Sequence, residues 1–141
     1  MKTKINYKKV SIVILALWTA FMLFMLLAPA NMLSQRQSSF FNIPHSDKII
    51  HCGLFCVFTY LLQIVLVFNS SLKTLKLYFV SIVVVLSLGM LTEILQALTF
   101  DWCGRRFELK DYFCDVLGGV FALVFFKIRE KKVCKRLQNE K

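Results

Sequence analysis

Long uncharged apolar runs, separated by short polar segments, set the pattern of this chain. Positions 10–35 hold no ionisable side chain, and 10–27 is a stretch of eighteen apolar or small residues. As a helix that stretch would cross most of the roughly 30 Å hydrocarbon layer of a bilayer. A second run, 49–72, is broken only by His51, Thr59 and Gln63 as notably polar groups over its first twenty positions, and a third, 77–100, carries the single charge Glu93. Both exceed the length of an ordinary strand. The apolar part of the fourth, 116–126, has only eleven residues, about 16 Å of helix, too short to span. To cross, that helix must begin near 109, which takes Asp111 and Asp115 into or near the bilayer. A charge there costs about 2.5–3.5 kcal/mol at the centre and less toward the edge, so it calls for a paired charge or a function. A re-entrant hairpin is the alternative for so short a segment.

The pattern therefore predicts an all-α polytopic membrane protein, a bundle of four transmembrane helices at about 10–28, 49–68, 77–99 and 109–126. One domain covers 1–141, with a basic tail over 127–141. The connections are too short for a second domain, and Pro29 and Pro44 bracket the first of them as helix breakers. Lys2 to Lys9, the apolar core and Ala28-Pro29-Ala30 imitate a signal peptide, but the core exceeds the usual 7–15 residues, so an uncleaved first helix is expected.

Composition strengthens this picture: 57% of the residues are hydrophobic, above the 45–50% of soluble domains. The net charge of +10 would in a soluble protein suggest nucleic acid. Its distribution argues otherwise. The N-terminus, the 69–76 connection and the tail, which share one side of a four-span bundle, hold thirteen Lys and Arg against Glu130 and Glu140. The opposite side holds Arg36, Lys48, Arg105, Arg106 and Lys110 against the six other acids. By the positive-inside rule both termini are cytoplasmic and the longer polar connections face outward. The basic groups are span flanks, so no nucleic-acid partner is expected; the lipid bilayer is. The 127–136 cluster can also attract anionic headgroups.

With that topology the unusual polar residues fall toward one leaflet. Asp47, Lys48 and His51 open the second helix, Glu93 and Gln96 lie near the end of the third, Arg105 and Arg106 follow, and Asp111 and Asp115 begin the fourth. Helical spacing gives each helix one polar face, since 47 and 51 are four apart, 93 and 96 three apart, and 111, 115 and 118 continue one stripe. Gly118 and Gly119 would let a neighbouring helix approach beneath the aspartates. Each residue also has a plain structural use: Asp47 as a cap, Lys48 as a snorkelling anchor, His51 as an interhelical hydrogen bonder, Glu93 paired with Arg105.

These residues carry a family resemblance. Asp47-Lys48-x-x-His51, Glu93-x-x-Gln96, Arg105, and Asp111-x-x-x-Asp115-x-x-Gly118, in this order and hydrophobic setting over about 10–126, resemble the VanZ-like family of small bacterial membrane proteins. Arg105 has the family's six-residue step to the following aspartate; Asp115 departs from its pattern, which commonly has asparagine there. The resemblance implies a multi-pass protein of the inner (cytoplasmic) membrane. It implies the theme of the family's namesake, low-level resistance to the glycopeptide teicoplanin, without a defined biochemical activity.

Three functional classes follow. In the leading one, an outward polar pocket binds or shields an amphiphile or lipid-linked cell-wall precursor, with Lys48 and Arg105 facing an anionic headgroup and Glu93, Asp111 and Asp115 orienting them. In the second, an intramembrane enzyme acts on a lipid-linked phosphate or acyl substrate, with His51 or Glu93 as base and Arg105 stabilising negative charge. The third is a structural or partner-binding bundle. Non-enzymatic readings are preferred, because the sequence has no Gly-x-Ser-x-Gly elbow, no His-Glu-x-x-His and no phosphate-cradling glycine loop. No cofactor and no metal site is expected. Of the five cysteines, Cys52, Cys56, Cys114 and Cys134 read mostly as packing groups without zinc spacing, whereas Cys103 is expected outside. Homo-oligomers remain open, through a Cys103 bridge or to enclose a transport path.

Overall fold

Where the sequence offers unbroken apolar runs without proline, the backbone satisfies itself as helix. The computed structural model describes residues 7–29, 46–70, 74–104 and 106–139. These form α1 (Tyr7–Leu27), α2 (Ser46–Asn69), α3 (Thr74–Leu98), the single turn α4 (Phe100–Cys103) and α5 (Leu109–Asn139). No strand occurs among the described residues. α1 makes its last helical bond from the Ala28 N–H to the Phe24 carbonyl, 2.8 Å, and Pro29, lacking an N–H, stops it. α4 lies between the expected spans 77–99 and 109–126 and ends at Gly104, whose φ of 69° lets its N–H close back on the Phe100 carbonyl.

α1, α2 from Asp47, and α3 are long and apolar enough to cross a membrane, the make-up of a multi-pass membrane protein. α5 is the longest helix, yet its apolar centre is flanked by charges. It does not stop at 126 but continues through the basic segment to Asn139. No glycine or proline interrupts that stretch, and Lys127 pairs with Glu130 one turn on at 3.0 Å.

Cross-helix contacts give the directions. Trp18 of α1 donates its indole N–H to the Leu54 carbonyl of α2, 3.2 Å, and Gln96 near the end of α3 donates to the Leu26 carbonyl near the end of α1, 2.9 Å. Lys48 and His51 of α2 meet Asp111 and Asp115 of α5, and further along Tyr60 of α2 packs on Phe125 and Phe126 of α5. Consecutive long helices thus alternate in direction, and α2 and α5 run side by side in parallel. They share the most extensive contact in the bundle.

The packing is inverted relative to a soluble domain. Leu17, Phe24, Phe79, Phe113 and Phe121 are exposed, whereas His51, Thr59, Gln63, Ser81, Thr92 and Glu93 are wholly buried. An apolar exterior of this extent is costly in water and natural in lipid. An apolar layer of Met22, Leu26, Phe55, Phe58, Leu62 and Val85 joins α1, α2 and α3. Inside, Gln63 of α2 donates to the Ser81 hydroxyl of α3, 3.1 Å. Ser81→Ala should therefore destabilise the bundle by about 1–3 kcal/mol, because it strands a buried amide, whereas Ser81→Ala with Gln63→Leu should return close to the parent. Denaturant titration in detergent, followed by circular dichroism, checks the difference.

Candidate functional site

The end at which α2 and α5 begin and α3 finishes collects the ionisable groups in two layers. Because α2 and α5 are parallel, their positive dipole ends lie together, and each has an aspartate in its first turn, Asp47 and Asp111. In the outer layer the Lys48 ammonium donates to Asp111 Oδ1 at 2.8 Å and to Glu108 Oε2 at 3.2 Å. Asp111 is 4% exposed, while the Lys48 side chain keeps 24% of its surface in contact with the surroundings. Lys48 is thus a charged bolt between α2 and α5 as well as a helix-end lysine.

One turn deeper, His51 Nδ1 lies 2.9 Å from Asp115 Oδ1 and 3.9 Å from Glu93 Oε1. All three residues have no exposed surface. Glu93 Oε2 accepts the backbone N–H of Glu108 at 3.0 Å, so its carboxylate ties the end of α3 to the start of α5. Gln96, also buried, turns its amide to α1. The structure thus brings Lys48, His51, Glu93, Asp111 and Asp115 into one network, with Gln96 and Asp47 at its edge. Arg105 lies outside the described residues.

Beside the outer layer is a cavity of about 270 Å³ lined by Asp47, Gln96, Gly104, Arg106, Glu108 and Asp111. Arg106 rests its guanidinium over the Phe100 ring, 5.0 Å from the centroid, which holds a cation at the cavity wall.

The two glycines beneath the aspartates sit at close helix approaches. A Cβ on Gly118 would run into the Cys52 carbonyl oxygen and come within 3.0 Å of its carbon; on Gly119 it would meet Val85 Cγ1 at 2.8 Å. The first obstacle is backbone and cannot swing aside.

Glu108 has a larger part than the sequence suggested. Its side chain reaches Lys48, its N–H satisfies Glu93, and its carbonyl accepts the Asp111 N–H at 2.9 Å as α5 begins. The only signal for it in the sequence is an acid just before a helix start.

Comparison with family models, with curated proteins and with solved structures finds no match for this chain.

Proposed function

We propose that this chain is a VanZ-like protein of the bacterial cytoplasmic membrane, with four membrane-spanning helices and both termini in the cytoplasm. In this reading its polar end binds the headgroup of an amphiphile or lipid-linked envelope precursor at the outer leaflet. The observation that carries the reading is the cavity of about 270 Å³ with polar walls, set at one end of a bundle whose described helices expose many large apolar side chains. Its size is just below the roughly 300–1,000 Å³ of sites that engulf a drug-sized ligand, which suits a headgroup whose acyl chains stay in the bilayer. Its walls carry both signs of charge. Glu108 and Asp111 are drawn to Lys48, while Arg106 offers a planar cation suited to phosphate. The fourth span is supported by the pairing of both its aspartates, which lowers the cost of placing them at the membrane edge.

Lipids retained by the detergent-purified protein provide the test. A phosphate-bearing lipid should be enriched over the bulk membrane in the parent and lost from Arg105→Ala/Arg106→Ala with folding intact. An unchanged lipid identity and amount in that variant would remove the basis of the reading.

The His51–Asp115 contact favours a second reading, an intramembrane enzyme in which Asp115 orients His51 as a base toward a lipid-linked phosphate or acyl substrate. Turnover of a candidate lipid that vanishes in Glu93→Gln would move this reading ahead of binding alone.

A further inference from the structure

The enclosed layer holds polar atoms that no other described residue satisfies. Glu93 Oε1, Asp115 Oδ2 and His51 Nε2 have no hydrogen-bond partner among the described residues, although each belongs to a side chain with no exposure. Leaving such groups unmet is expensive, of the order of 1–3 kcal/mol each and more for a charge. One donor atom from each of His51, Glu93 and Asp115 lies within 4.8 Å of the others.

We propose that His51, Glu93 and Asp115 bind one divalent transition-metal ion, of the zinc or manganese class, that clamps α2, α3 and α5 together. The spacing suits it. Ligands about 2.1 Å from a metal are roughly 3.0 Å apart in octahedral and 3.4 Å apart in tetrahedral arrangements. From His51 Nδ1 the separations are 2.9 Å to Asp115 Oδ1 and 3.9 Å to Glu93 Oε1, and all three ligand atoms lie within 4.8 Å of one another, so an ion that displaces the proton between His51 Nδ1 and Asp115 Oδ1 reaches all three donors with shifts of about an ångström.

Charge balance points the same way. Bound to metal as a neutral imidazole and two carboxylates, the three ligands would carry −2, which a divalent cation cancels. The donor set narrows the metal. Imidazole suits zinc, iron, nickel and copper, and carboxylates suit manganese, magnesium and calcium, so one nitrogen with two oxygens favours the overlap of these groups. An outer shell is in place, since the Glu108 N–H on Glu93 Oε2 leaves Oε1 toward the cluster. A second trio, Asp47, His51 and Asp111, also has donor atoms this close. There the Lys48 ammonium already occupies Asp111 Oδ1 at 2.8 Å, which disfavours a cation.

No sequence spacing announces this site because its ligands come one from each of three helices. The site does not rest on the headgroup reading; metal content is measured directly, so lipid retention without metal removes the metal site and leaves that reading standing.

The test uses full-length protein carrying a tag without histidines, purified in detergent without chelator, exposed separately to Zn²⁺ and Mn²⁺, dialysed, and analysed for metal and for thermal unfolding. The parent should retain about one ion per chain of at least one metal and unfold at higher temperature with it, reversibly on EDTA treatment. Glu93→Gln, which keeps the shape of the side chain, should bind at least about 10–100-fold more weakly. Glu108→Ala should retain the ion, because only its backbone touches Glu93. Folded parent protein that holds neither metal overturns the site, as does equal retention by the parent and Glu93→Gln. Both measurements stand even if His51→Ala or Asp115→Asn fails to fold.

Discussion

Gly118→Ala should cost the bundle about 3 kcal/mol or more, at or above the top of the usual range for inserting one methyl group into a packed interior. The added carbon would strike the Cys52 carbonyl and lie within 3.1 Å of its Cα, so relief requires moving α2 against α5. That displacement cannot stay local. His51 lies one residue before Cys52 and Asp115 three before Gly118, so the helices can separate only by stretching the 2.9 Å contact between them. Gly53→Ala, one position along α2, is the control. Nothing lies within 4 Å of its would-be Cβ, and replacing a helical glycine by alanine should be neutral or favourable by roughly 0.5–1 kcal/mol. Denaturation of both variants in detergent separates a close backbone approach from a general intolerance of substitution in α2 and α5.

The second large effect is expected at Lys48. Lys48→Ala leaves Asp111 buried without its ammonium, a loss of about 3 kcal/mol, the low end of the range for breaking a buried pair because Lys48 keeps some contact with the surroundings. Adding Asp111→Asn should recover a substantial part, since an amide is far cheaper to bury than an orphaned carboxylate. Glu108→Ala alone should cost less than about 1 kcal/mol, as its side chain is 55% exposed. If instead Lys48→Ala and Glu108→Ala were equally mild, Lys48 would be only a snorkelling anchor.

The first three long helices are plain in the sequence, because each is a long apolar run with polar ends and at most one charge inside it. It also placed the unusual polar residues at one end, since Asp111 and Asp115, Asp47 and His51, and Glu93 and Gln96 keep helical spacing. Pairing was not legible. Periodicity says which residues share a face, but the rotation and height of one helix against another decide that Lys48 takes Asp111 while His51 takes Asp115. The Gln63–Ser81 bond was hidden for the same reason: each residue alone is a polar interruption in an apolar run. Glu93 accepts the Glu108 N–H, a backbone donor that side-chain patterns do not reveal, while its expected pairing with Arg105 falls on a residue outside the described ones. The end of α5 is not legible from charge alone: the segment after 126 is basic, yet Lys and Arg are good helix formers and no glycine or proline there stops a helix.

The parallel arrangement of α2 and α5 bears on how such a chain is assembled during synthesis. α5 is made after the other described helices and is, in the four-span reading, the one least able to enter lipid alone, with two carboxylates and a short apolar centre. Lys48, His51 and Glu93 precede it in the chain, so their helices are in place before Asp111 and Asp115 emerge. In that reading α5 enters the bilayer by docking onto a prepared seam, which would make its insertion and the closure of the polar site one event.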